Sequence, residues 1–425
     1  MVPSQHAMST LVSVLVVTFF SAELTIETVL SIANLRHTRR VGGVVPPLLA
    51  GELDLETARR SRDYAVAGGR FDLVRSFAGV AFTLLLLFSG ILPALDSALF
   101  RHRVLGAHHF VAFLVALFAL CWLFSLPFSL YGMFVLEARF GFNRAGTRLW
   151  VKDKLKGLLV AAALGIPLLY ATYGFFSLAA RAWWLYLFAF LAAFEIAMIF
   201  VYPAVIAPFF NDFSPLPDGD LKVRLEQMAR RAGFRTRGVV VIDASRRSSH
   251  SNAYFAGFFR PRIVLFDTLL AQMSTEETAA VLAHEIGHYQ ARHVPKALAV
   301  GLFGLFASLW GLSLLVAWPP LFAAFGFAAP SFHAAVALVS LCGGAFTFFL
   351  TPLASFLSRR HEYEADRCAV AISGAPHALR SALVKLNQGN LGNVCPHPWY
   401  SAWHYSHPPL LERMAAIEAD DHSSR

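Results

Sequence analysis

The chain has 425 residues, 56% of them hydrophobic and only 15% charged, with 39 phenylalanines and a formal charge of +9. That charge fraction is well below the quarter usual for soluble domains, and the apolar residues gather in runs long enough to cross a bilayer, which excludes an ordinary water-soluble enzyme. The positive balance does not call for a nucleic-acid partner: nothing resembles a nucleic-acid module, and basic residues concentrated in loops are expected on one side of a membrane.

The first run, about 8–34, lacks the basic flank and cleavage site of a secretory signal and reads as a retained helix. It carries Glu23 and Glu27 four residues apart, on one helical face. Carboxylates at membrane depth are costly, so they should face a polar interior, or else sit at the headgroup level. A basic, polar stretch follows over 35–71, with a short surface helix expected over 53–66. Further spans are expected at about 74–98, 105–136 (with Pro127 as a candidate kink), 157–177 and 183–207, the last holding Glu195.

From 211 to 296 the composition turns soluble. Pro215 to Gly219 is a turn cluster, and 220–232 shows helical spacing closed by Gly233. Short strands are expected at 239–242, 252–259 and 262–266, the last two joined near Arg260-Pro261. A sixth span at about 297–318, a seventh at 332–357 and a mostly helical tail complete the chain. Cys121, Cys342, Cys368 and Cys395 show no C-x-x-C spacing, so neither a disulfide framework nor a cysteine metal site is expected.

Just before the sixth span stands His284-Glu285-Ile286-Gly287-His288. On a helix, positions i and i+4 share a face, so His284 and His288 can offer both imidazoles to one metal ion, with Glu285 beside them as a general base. Ser274 and Glu277 form an expected capping box at the start of that helix. Catalytic zinc sites usually take a third protein ligand and a water. If spans six and seven form an antiparallel hairpin, Glu362 falls where that ligand is needed; the alternative is a solvated charge beside Arg359 and Arg360. Asp366, four residues on, shares its face and could accept an N–H from a ligating imidazole.

The His284–His288 motif with Glu362-Tyr363-Glu364-Ala365-Asp366 resembles the type I CAAX prenyl endopeptidases, integral-membrane zinc metallopeptidases of gluzincin type. The stretches 251–259 and 262–270, 201–217, and Ser406-His407-Pro408-Pro409-Leu410-Leu411-Glu412-Arg413 extend the likeness. The resemblance implies that His284, His288 and Glu362 hold one Zn²⁺, that Glu285 is the base, and that His407 and Arg413 stabilise the transition state or brace the third-ligand region. It implies that Asn252 and Ala253 pair with substrate as an added strand, that the helices enclose a wide chamber which Glu23, Glu27 and Glu195 could line, and that a prenylated C-terminal peptide loses its last three residues. On the residues alone, His407 before two prolines could simply start a helix, and Arg413 could be a surface charge. Cys395-Pro396-His397-Pro398-Trp399 departs from the expected pattern and reads as a loop without chemistry.

The expected fold is a mainly α membrane protein with seven transmembrane helices and a small cytoplasmic α+β zinc metallopeptidase portion. Its parts are five helices with basic loops (1–210), a soluble insert with strands and the motif helix (211–296), two further spans (297–357) and a C-terminal helical segment bearing the third ligand (358–425). Lysine and arginine are concentrated after spans one, three and five and in the tail, which puts the active site on the cytoplasmic side. The sequence does not distinguish plasma membrane from endoplasmic reticulum. A membrane-protein quality-control protease and a non-catalytic membrane scaffold are the rival readings; the intact Glu285 speaks against the scaffold.

Overall fold

The computed structural model describes residues 5–234, 236–257 and 262–423. Its membrane part begins with two helices longer than a bilayer requires, α1 (Gln5–Val41) and α2 (Leu55–Phe88). At 1.5 Å per residue each reaches about 50 Å, against about 30 Å of hydrocarbon, so their polar ends stand out in water. The stretch expected as a separate surface helix over 53–66 is instead the start of α2. Asp54 caps it, accepting a hydrogen bond from the Thr57 N–H at 2.8 Å. The second span also ends earlier than expected. Gly90, at φ 80°, breaks the helix and starts the short α3 (Ile91–Arg101). Hydropathy runs through Ser89-Gly90 without a charge, which hides the break in the sequence.

The helix α4 (Gly106–Tyr131) runs through Pro127 and opens into one π-helical turn over Gly132–Glu137. Then come α5 (Thr147–Leu178) and α6 (Trp183–Val201). The latter continues through a second π-helical turn at Tyr202–Ile206 into α7 (Ala207–Phe210). Pro203 lacks the N–H that a regular turn would use there.

The peptidase part holds β1 (Phe213–Pro215), α8 (Asp220–Arg231), β2 (Val239–Ile242), β3 (Ala253–Ala256) and β4 (Arg262–Phe266). The sheet order is β1-β2-β4-β3, with β2 and β4 parallel and the outer pairs antiparallel. Sequence reading took Pro215 for a turn. It ends an edge strand, where a missing ladder donor is tolerated. The expected Arg260-Pro261 junction lies outside the described residues, as do Phe258 and Phe259.

After α9 (Asp267–Leu270), the motif helix α10 (Thr275–Gln290) starts with the expected capping box. The Ser274 hydroxyl accepts from the Glu277 N–H at 3.2 Å, and the Glu277 carboxylate accepts from the Ser274 N–H at 2.7 Å. Arg292, left-handed at φ 55°, separates α10 from α11 (His293–Leu315). Pro295 falls in the first turn of α11, where no N–H partner is lost. The short α12 (Pro319–Ala324) precedes α13 (Phe332–Phe348) and α14 (Thr351–Ser373), which meet at a 60° bend. Among the described residues six helices are long and apolar enough to cross a membrane, and this bent pair makes a seventh crossing when counted as one. The tail adds α15 (Pro376–Gly389), α16 (Pro398–His404) and α17 (Leu410–Ser423).

Packing is concentrated at two ends. Away from the peptidase, the N-terminal half of α1, the C-terminal end of α2, the start of α4 and the start of α13 share one core. Phe20, Leu86, Phe110, Phe113 and Leu338 are buried there. At the other end, α10, α14, α15 and α17 pack around Ala280, Ala283, Leu379 and Met414. Between them the spans contribute few buried side chains: among the described residues none of α5 is buried, and none of α6 after Leu187.

The closest helix approach is α10 on α14. A Cβ built on Gly287 would lie 2.9 Å from the Ala365 carbonyl oxygen and 2.9 Å from the Cys368 Cβ. Both obstacles are rigid, so Gly287→Ala must separate the helices. Thermal unfolding of that variant should show a loss of about 1–3 kcal/mol, the usual cost of overpacking. An unchanged midpoint would mean that the crossing is looser than these distances imply.

Candidate active site

Two helices build the site. On α10 the i, i+4 spacing places His284 and His288 one above the other, with their Nε2 atoms 3.1 Å apart. From α14, Glu362 points between them. Its Oε2 is 3.4 Å from His284 Nε2, and its Oε1 is 3.3 Å from His288 Nε2. The hairpin expected of spans six and seven therefore does bring this carboxylate to the histidines, and Glu362 is buried rather than solvated.

These three side chains could hold one metal ion. The fit rests on three observations. The separations match the edges of a tetrahedron with metal–ligand bonds of about 2.0–2.2 Å. Glu362 Oε2 is buried without a hydrogen-bond partner, an acceptor that a cation would satisfy. Finally, Glu362 and Asp366 are both buried beside a single guanidinium, that of Arg413, which leaves the pocket receptive to further positive charge. Burial opposes a charge on His284, yet its hydrogen bond to Asp366 and the nearby Glu362 carboxylate outweigh it and push its pKa up to about 9. The pocket is thus electrostatically prepared for positive charge.

Around this trio the predicted supports are present. Asp366 Oδ1 lies 2.8 Å from His284 Nδ1, where it accepts the N–H and leaves Nε2 as the free lone pair. Arg413 on α17 donates through Nε at 2.8 Å and Nη2 at 2.6 Å to Asp366, and its Nη1 lies 3.7 Å from Glu362. It is therefore not a surface charge. His407 does precede a helix by three residues, but its Nε2 is also 3.4 Å from Glu362 Oε1, and its side chain is 65% exposed toward open space. Glu285 sits beside the histidines, half-buried, with its pKa raised by that burial.

Asn252 and Ala253 lie at the start of β3, the edge strand on this side of the sheet. The Ala253 N–H is held by the Asn252 side chain at 2.8 Å, so an incoming strand would have to displace that contact.

Several contributors escaped sequence reading. His293 Nδ1 contacts His288 Nδ1 at 2.9 Å, its Nε2 lies 3.2 Å from Glu364, and its ring stacks on His361. The helix break at Arg292 makes that arrangement invisible to any fixed spacing. Arg359 donates to three carbonyls, of Ser401, Ala402 and Tyr405, at 2.8–3.1 Å, and so fixes the segment leading to His407. The Cys395–Trp399 stretch, expected as a loop without chemistry, docks on α1. The His397 N–H donates to Asn34 at 2.9 Å, and the His397 ring caps α16. Glu27 joins the same surface, 3.2 Å from His404.

Fold and site together define an integral, multi-pass membrane metalloprotease. Residues 34–212 match the family model described as CAAX prenyl protease N-terminal, five membrane helices. Residues 215–421 match peptidase family M48. The chain belongs to peptidase family M48, with the CAAX prenyl protease type of membrane domain. It is 37% identical over 407 residues to CAAX prenyl protease 1 of Saccharomyces cerevisiae (88% of each chain). It is 36% identical over 386 residues to the homologue of Oryza sativa (89% of this chain, 91% of that one), and 33% over 421 residues to that of Homo sapiens (88% of each). The crystal structure of S. mikatae Ste24p superposes with a TM-score of 0.90 at 32% identity, covering 98% of this chain and 100% of that one.

Asp366 and Arg413 should act through His284 and Glu362. Asp366→Asn removes the charge that orients His284 and should weaken metal binding by about 10- to 100-fold, read by competition with a chelating dye. An unchanged affinity would mean that His284 is held by other contacts.

Proposed function

We propose that the chain is a zinc endopeptidase that cuts prenylated CAAX-type peptides just after the prenyl-cysteine, releasing the last three residues. The observation that carries the catalytic part is the convergence of His284, His288 and Glu362 within 3.1–3.4 Å, beside Glu285. The names of the relatives support the substrate class.

Zinc held by these ligands supplies Lewis acidity toward an attacking water and the scissile carbonyl. Glu285 accepts the proton of that water and returns it to the leaving amine. Its raised pKa suits a group that must both take and give a proton near neutrality. The Nε2 lone pairs of His284 and His288 point inward, the first fixed by Asp366. His407 reaches from the exposed side toward the space beside Glu362, where an N–H donor can meet the negative charge that develops on the carbonyl oxygen. Arg413 holds Asp366 and Glu362 in place. The outer edge of β3, at Asn252 and Ala253, offers main-chain groups to an extended peptide.

The division of the chain into a five-helix part, a soluble insert, two further spans and a ligand-bearing tail follows from this reading, with the break between insert and sixth span set at Arg292. The basic ends Arg39, Arg40, Arg60 and Arg144 flank the peptidase end of the spans, which supports a cytoplasmic active site by the positive-inside rule.

Incubation of the purified protein with matched farnesylated and unmodified peptides, read by mass spectrometry, tests the proposal. Cleavage after the prenyl-cysteine is expected, with loss of activity on chelation and recovery with Zn²⁺. Glu285→Gln should keep its metal and lose 10²–10⁴-fold in kcat, the range for a general base. Cleavage that survives in zinc-loaded Glu285→Gln would end the mechanism. Indifference to the prenyl group would instead favour the quality-control reading.

A further inference from the structure

The other end of the bundle holds a second convergence of metal-binding side chains. Asp96 lies on α3, His109 in the first turns of α4, and His333 at the start of α13. Asp96 Oδ1 is 2.7 Å from His109 Nε2 and 2.9 Å from His333 Nε2, and the three donor atoms lie within 4.8 Å of one another. These are the same ligand types as at the active site: two imidazole Nε2 atoms and one carboxylate.

The protons decide what this cluster needs. His109 Nδ1 is 2.9 Å from the Val104 carbonyl oxygen, which carries no hydrogen, so Nδ1 must be the donor. In a neutral imidazole that leaves a bare lone pair on Nε2, aimed at a carboxylate oxygen. Two lone pairs that face each other at 2.7 Å need a proton or a metal ion between them. Among the described residues, the ion-pair partners of Asp96 are these two histidines and no lysine or arginine. A backbone carbonyl holding Nδ1–H while Nε2 points to an ion is the usual arrangement of a ligating histidine.

We propose that Asp96, His109 and His333 form a second site for a divalent ion of the zinc class, which ties α3, α4 and α13 together at the end of the bundle remote from catalysis. The Ser331 hydroxyl, 3.1 Å from His333 Nε2, or a water completes the coordination. Ion binding lengthens the 2.7 and 2.9 Å edges toward those of the first site, within reach of a small rotation of Asp96. That side chain is 30% exposed while His109 and His333 are 10% and 14% exposed, so the ion has a path from water. The site tethers three elements of the core that closes this end of the bundle: His333 also packs on Phe113, with ring centroids 4.9 Å apart.

The test is metal stoichiometry on the full-length protein in detergent, stripped with a chelator, loaded with excess Zn²⁺, freed of unbound ion and measured by mass spectrometry. Two equivalents per chain are expected. Asp96→Asn and His333→Ala should each hold one, and so should the double variant His284→Ala, His288→Ala. That double variant leaves the second site untouched, so it decides the matter even if the second-site variants misfold. One equivalent in the wild type, none in the double variant, or two that persist in folded Asp96→Asn would each overturn the proposal. The first two results are expected if a proton between Asp96 and His109 takes the place of the ion. Loss of the ion only in the double variant would leave the catalytic reading intact while this one fails.

Discussion

The close approach of α10 and α14 at Gly287 is the contact on which the rest of the site depends. Glycine between the two histidines lets the α14 backbone come within van der Waals distance at Ala365. Only then do Glu362 and Asp366, which flank that alanine, reach His284 and His288. The same proximity gathers Glu285, Glu362, Asp366 and Arg413 in a small volume largely shielded from water. Buried charges of this kind are tolerated only when paired. The guanidinium of Arg413 answers one carboxylate, Asp366, and the other, Glu362, is left to the ligating imidazoles and a cation. The site is therefore built for a metal by its electrostatics as well as by its donor atoms.

The first helix has a second task besides crossing the membrane. Its polar residues recur on one face. Glu27 meets His404, Asn34 accepts from the His397 N–H, and Thr38 accepts from the Asn393 amide at 3.0 Å. Together with Arg359 on α14, this stripe fixes the segment that ends at His407. Part of the intramembrane acidic pattern thus has a structural reason, since Glu27 is partnered by a residue nearly four hundred positions away. The extra length of α1 beyond the hydrocarbon follows as well: its last turns serve as a scaffold for the C-terminal part of the chain.

How far the sequence reveals this depends on the range of each signal. The i, i+4 histidines and the capping box are local and regular, and both appear in the structure as read, whereas the apolar runs mark the spans but not their ends. A break without a charge or a periodic change is not visible, which is why the one at Gly90 is hidden and α2 is divided wrongly. Glu362 and Asp366 could be proposed because a hairpin brings the ends of consecutive spans together. His293, Arg359 and Asn34 could not, because their roles depend on a left-handed turn or on docking between opposite ends of the chain. Strand β1 was hidden by its proline, which is acceptable only because it lies at an edge.

The distribution of packing links the membrane body to the chemistry. Peptide hydrolysis needs water, and the metal ligands stand on helices that continue toward the membrane spans. Here the spans pack at one end through stacked rings, Phe110 on Phe332 at 5.1 Å and Phe176 on Phe332 at 3.9 Å, and at the other through the peptidase helices. Between these ends their side chains are left largely unburied. Helices that bury few side chains between their ends depend more on the contacts at those ends. The aromatic core and the histidine–aspartate cluster supply them at one end, and the α10–α14 crossing supplies them at the other.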